Sequence, residues 1–144
     1  MKPYYRSATE VRKNFSECID RAVHDRPQFV NRTRDGVVVI GERFFDDLLA
    51  SAVIHCTITK DEDGTAFVTN GELSDLIGSG ETEAAAIRDL ATQLVEYAAE
   101  YYENYALYSR SPNRKRHLPY VLRILTLGEP DAVREILVCQ SGKS

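Results

Sequence analysis

Three cysteines, Cys18, Cys56 and Cys139, are too few and too irregularly spaced for a disulfide framework or a zinc site. They read as reduced thiols that behave as small apolar side chains. No apolar run approaches the roughly 20 residues that span a bilayer, so no membrane association is expected. The opening Met1-Lys2-Pro3-Tyr4-Tyr5 has no apolar segment of the signal-peptide kind, and a cytoplasmic location is expected. Internal repeats and low-complexity segments are absent too. So are a Gly-rich phosphate loop, a nucleophile elbow and a paired-acid motif, which points away from an enzyme.

The three histidines, His24, His55 and His117, lack metal-ligand spacing. His55 and Cys56 adjoin in a strand pattern, which sends them to opposite faces and argues against a Cys–His nucleophile. Asp61-Glu62-Asp63-Gly64 lacks the further ligands and distal Glu of a calcium loop and reads as a polar hairpin turn. No cofactor or metal is expected.

What is present is a chain of 144 residues with 43% hydrophobic and 28% charged residues, ordinary values for a globular protein of one or two domains. Its net charge of -4 is unevenly distributed. Residues 1–40 carry eight Lys/Arg against five Asp/Glu, and residues 41–144 carry ten against seventeen. Such asymmetry is what a basic nucleic-acid-facing end joined to an acidic body would show.

Hydrophobic spacing and turn signals divide the chain into elements. Ser7-x-x-Glu10 forms a capping box ahead of a helix over 8–24, with Val11, Phe15, Cys18, Ile19 and Ala22 at helical spacing. Tyr4-Tyr5 before it suits a short strand. Strands over 28–33 and 37–40 flank Arg34-Asp35-Gly36, where Asp-Gly tolerates the positive φ of a tight hairpin. A short amphipathic helix follows over 42–52, with Phe44, Phe45, Leu48 and Leu49 on its apolar side.

A second hairpin spans Ile54–Thr59 and Thr65–Thr69. Gly78-Ser79-Gly80 then leads to Thr82, a cap for a long helix over 83–108. That helix carries Tyr97, Tyr101, Tyr105 and Tyr108 in a stripe that reads as core or dimer contact. Asn113-Arg114-Lys115-Arg116 reads as a solvated basic loop. Helices are expected over 117–127 and 131–138, then a frayed tail over 140–144.

Ser7, Ala8, Glu10, Arg12, Asn14 and Phe15 stand in a pattern that resembles the opening helix of the Phd/YefM antitoxins. The order of strand, basic turn, Val-rich strand and aromatic-bearing helix extends the resemblance to about residue 52. Lys60-Asp61-Glu62-Asp63-Gly64, then Gly80-Glu81-Thr82 and Ala85, resemble the HicB antitoxins, which are partial RNase H-like folds. Asn70-Gly71-Glu72-Leu73 departs from that family, which often has a Pro-rich segment there.

The resemblance implies an α+β protein. A Phd/YefM-like DNA-binding and dimerisation domain would occupy 1–52, and a small HicB-like βββα domain with extra C-terminal helices would occupy 53–144. It further implies an antitoxin of a type II toxin–antitoxin system that binds operator DNA, represses its own operon and neutralises a cognate protein toxin as a dimer or tetramer. Ser7, Arg12, Lys13, Arg32 and Arg34 are the implied DNA-binding residues. The alternatives are an interaction module that does not touch DNA and, from the RNase H-like resemblance, a nuclease. The second would need a carboxylate cluster around a divalent metal, which Asp61, Glu62 and Asp63 in a hairpin turn do not form.

Overall fold

The protein is described from a computed structural model, over residues 2–142. It is a mixed α+β fold with two small sheets, and it divides into two compact units, Met1–Leu48 and Leu49–Ser144.

In the first unit, strand β1 (Tyr5–Ser7) precedes helices α1 (Ala8–Lys13) and α2 (Phe15–His24), then β2 (Gln28–Arg32), β3 (Asp35–Val39) and α3 (Glu42–Leu48). The sheet order is β1-β2-β3, with β1 parallel and β3 antiparallel to β2. The single helix expected over 8–24 is interrupted at Asn14, whose φ of -127° and ψ of 44° are not helical. Asn competes for local backbone groups and is a poor interior helix residue. Here its N–H closes α1 on the Glu10 and Val11 carbonyls, and its own carbonyl accepts the Cys18 N–H. The expected apolar face is only partly buried. Val11, Cys18 and Ala22 are buried, while Phe15, Ile19 and Val23 are exposed.

The hairpin turn differs as well. Arg32 pairs with Asp35, so the loop is Thr33-Arg34, and Thr33 rather than Asp35-Gly36 takes the positive φ, at 55°. This register sets Phe29 opposite Val38 and Val30 opposite Val37, cross-strand pairs that a turn at Asp35-Gly36 would lose. Helix α3 ends at Leu48, four residues short of the expected limit.

The second unit carries β4 (Ile54–Lys60), β5 (Ala66–Asn70), β6 (Gly78–Gly80), α4 (Glu83–Glu103), α5 (Tyr105–Tyr108), α6 (Leu118–Leu127), α7 (Pro130–Val133) and β7 (Leu137–Ser141). Its sheet order is β6-β5-β4-β7. Ala86, Leu90, Ala91, Leu94, Ala98 and Tyr101 of α4 join Ile54, Cys56, Ile58, Ala66 and Val68 of the sheet in one buried cluster, which Val121 and Ile124 of α6 complete. Thr82 Oγ1 accepts the Ala85 N–H and caps α4, as its position implies.

The loop after β5 is organised by buried Asn70. Its Oδ1 accepts the Leu73 N–H at 2.6 Å, and its Nδ2 donates to the Leu73 and Leu76 carbonyls at 3.1 Å each. A polar side chain thus does the shaping here. The C-terminal helix expected over 131–138 stops early. After α7 and a 3-10 turn (Arg134–Ile136), the chain enters β7, parallel to β4, with Cys139 beside Cys56. Buried β4 would otherwise leave backbone groups unpaired along that edge. Gln140 and Ser141 therefore belong to a strand rather than a frayed tail; Lys143 and Ser144 lie outside the described residues.

Gly78 and Gly80 of β6 lie against α4. A Cβ on Gly78 would sit 2.3 Å from the Ala86 carbonyl oxygen and 2.8 Å from the Leu90 backbone nitrogen. Gly78→Ala is expected to lower unfolding free energy by roughly 1–3 kcal/mol, the usual cost of overpacking. Its measure is the midpoint of a urea titration, with Gly71→Ala as control, since a Cβ there meets nothing within 4 Å.

Candidate nucleic-acid interface

Unit 1 carries nine Lys/Arg. Five of them are engaged by neighbours. Arg6 donates to Gln28 Oε1 at 3.2 Å and lies 3.6 Å from Glu17, and Arg21 pairs with the same Glu17 at 3.0 Å. Arg26 is 3.8 Å from Asp25 and lies over the Tyr4 ring. Lys2 and Arg43 sit over the Tyr5 and Phe44 rings.

The other four are Arg12, Lys13, Arg32 and Arg34. All are exposed, and among the described residues none has a side-chain hydrogen bond, ion pair or ring contact. Glu17, the acidic residue that follows Arg12 in the chain, is taken by Arg6 and Arg21. Exposed, uncompensated guanidinium and ammonium groups are suited to phosphate oxygens and base edges.

The scaffold gives these groups fixed starting points. Ser7 Oγ accepts the Glu10 N–H at 3.1 Å and so fixes the start of α1; Arg12 and Lys13 occupy its last turn. Ser7 pairs in register with Asn31, next to Arg32, so the helix start and the hairpin tip share one end of the sheet. Arg32 lines a groove with Ala8, Val11 and Asp35. Arg34 lines a different one with Lys2, Tyr5 and Asn31. The two hairpin arginines therefore serve separate grooves, and Lys2, not anticipated from the sequence, joins Arg34. Its only signal there was a basic residue near the start of the chain.

A second polar site lies in unit 2, a cavity of about 200 Å³ lined by Leu73, Asp75, Leu76, Tyr97, Glu100, Arg114 and His117. The expected solvated loop is in part tied down here. Arg114 lies 4.3 Å from the Tyr108 ring centroid and 5.6 Å from that of Tyr97, and its carbonyl accepts the buried Tyr101 hydroxyl at 3.0 Å. Lys115 and Arg116 are exposed. Of the tyrosine stripe, Tyr101 is fully buried, and Tyr97, Tyr105 and Tyr108 meet its ring edge to face.

Tyr97 Oη and His117 Nδ1 are 2.7 Å apart. Burial raises the Tyr97 hydroxyl above its ordinary value, and burial, then Arg116 and Arg114, pushes the His117 ring below its own. A protonated tyrosine donating to a neutral imidazole follows. In the sheet, burial first and then Cys139 push the Cys56 thiol up to about 12, so it stays protonated and unreactive. Among the described residues no three His, Cys, Asp or Glu side chains converge to hold a metal ion, and no helix is long and apolar enough to cross a membrane.

Comparison with known proteins bears on both units. A PHD-like family model, described as antitoxin of toxin-antitoxin, RelE / RelB, TA system, matches residues 4–139. A crystal structure from Syntrophomonas wolfei subsp. wolfei, described as the antitoxin part of a proposed toxin/antitoxin system, is similar at 37% identity. The match has a TM-score of 0.87 and covers 99% of this chain and 100% of that one. No curated protein matches the sequence.

Because the folded state holds His117 below its ordinary value, its contribution to stability is present above the unfolded value and is lost as pH falls through the folded one. The urea midpoint of the wild type is expected to drop between pH 7.5 and pH 5 by more than that of His117→Asn. Equal drops would show that His117 does not titrate in this way.

Proposed function

Given that the chain belongs to the PHD-like family of toxin–antitoxin antitoxins, we propose that its N-terminal part, residues 1–52, binds operator DNA as a homodimer and represses the operon, while the remainder neutralises a cognate toxin. The observation that carries the DNA reading is the set of four unpaired cations. Among the described residues, Arg12, Lys13, Arg32 and Arg34 are left without compensation in a unit whose other cations are engaged. Ser7 contributes by fixing the start of α1, with its hydroxyl hydrogen free to meet a phosphate.

Two further features support a dimer. Phe15, Ile19 and Val23 recur at four-residue spacing along the outer side of α2 and are exposed. The groove lined by Val11, Val30, Val37 and Val39 is open, with a volume of about 410 Å³. Against these, the buried cluster of the unit comprises only Val11, Cys18 and Val30. A 48-residue unit with so small a core gains from covering its apolar surface with a second copy. A two-fold dimer would present its cations twice and read a palindromic site. The order β4-β5-β6-α4 is the βββα order of the HicB-like resemblance, and we assign unit 2 to that type.

Arg12→Ala and Arg34→Ala are each expected to weaken binding to the upstream intergenic DNA. Each should also make the slope of log K against log salt shallower by about one per lost phosphate contact. Gel shifts across a salt series read both effects. Unchanged affinity in the double variant would favour an interaction module that does not touch DNA.

The dimer is checked separately. Ile19→Asp is expected to halve the mass of the free protein in light scattering, and an unchanged mass would move the interface away from α2.

A further inference from the structure

The last turn of α4 carries no basic residue, a feature it shares with α3, α5, α6 and α7. It holds Glu100 and Glu103 at the negative end of a 21-residue helix, where carboxylates are unfavourable and a cation would be favourable. The Tyr108 hydroxyl donates to Glu100 at 2.7 Å. Glu96 and Glu103 are exposed and, among the described residues, without an ion pair.

The same end exposes large apolar side chains. Asn104 breaks the helix, with φ -112° and ψ 34°, and α5 sets off anew. Tyr102 is 62% exposed, Tyr105 42% and Leu107 66%. Tyr102 and Tyr105 meet with ring centroids 6.4 Å apart, and Tyr105 rests in turn on buried Tyr101 at 6.1 Å. The exposed pair is therefore anchored to the core, which keeps the ordering cost of binding low. Helix α4 itself contains five Asp/Glu and a single Arg; Arg114 of the following basic loop is occupied against the Tyr97 and Tyr108 rings.

We propose that the α4–α5 junction, centred on Tyr102, Glu103 and Tyr105 with Glu96 beside it, is the docking surface for the cognate toxin, and that the toxin presents arginine or lysine side chains there. The proposal rests on the antitoxin reading. Tyrosine faces take the stem and cation of such a side chain, and the carboxylates and the helix end take its charge. Aromatic anchors of this kind commonly dominate binding energy.

The test uses the full chain co-expressed with the protein encoded by the adjacent open reading frame, with complex formation measured by co-purification and calorimetry. Tyr102→Ala and Glu103→Lys are both surface changes, and circular dichroism and the operator gel shift verify that each variant is folded. Each is expected to weaken the complex at least about tenfold, while Glu62→Lys in the β4–β5 turn leaves it unchanged. Wild-type affinity in both variants would overturn the surface and leave the antitoxin reading intact. No complex with the wild type would remove the antitoxin pairing itself. Altered mass of the free antitoxin in these variants would assign the junction to a second copy and likewise overturn the proposal.

Discussion

The close approach of α4 to β6 is the constraint on which the larger unit depends. The backbone of Gly78 lies so near Ala86 and Leu90 that no side chain fits between them. That proximity lets small residues, Ala86, Ala91 and Ala98, alternate with Leu90, Leu94 and Tyr101 along the buried side of α4. With the helix held at this distance, α6 closes the cluster with Val121 and Ile124. The chain then returns through α7 to place β7 beside β4. The end of α4 is fixed by the same packing, since Tyr101 is buried and Tyr105 and Tyr108 rest on its ring. The chemistry at the α4–α5 junction is therefore displayed from a rigid base.

The smaller unit works under the opposite condition. Its core is slight, and apolar side chains remain on the outside of α2 and on β3. Within α2 itself, Cys18 and Ala22 face the core while Phe15 and Ile19 lie on the exposed side. A unit of this kind is suited to self-association, which buries the apolar surface its own core leaves uncovered. The uncompensated cations and the unfilled apolar surface are two aspects of one incompletely satisfied unit.

Much of the architecture was legible in the residues. The Ser7 and Thr82 caps, the two hairpins, the long helix from residue 83 and the α+β class all follow from local patterns, because caps and alternation act over a few residues. The candidate cations were legible as residue types, though their lack of partners was not. Arg21 meets Glu17 one turn along α2, a local pair, but Arg6 reaches the same carboxylate from β1 only because the fold brings the strand and helix together.

What the sequence determined by itself is therefore local: where most helices and strands begin, where the chain is basic, and which turns need polar residues. Tertiary structure decided the rest. It moved the first hairpin turn to Thr33-Arg34, because pairing Val30 with Val37 outweighs the turn preference of Asp-Gly. It drew Leu137–Ser141 into a strand, because the buried edge of β4 had to be hydrogen-bonded. It placed Arg114 against Tyr97 and Tyr108 instead of in solvent. In each case the deciding energy comes from groups far apart in the chain, and no local pattern records which of them will meet.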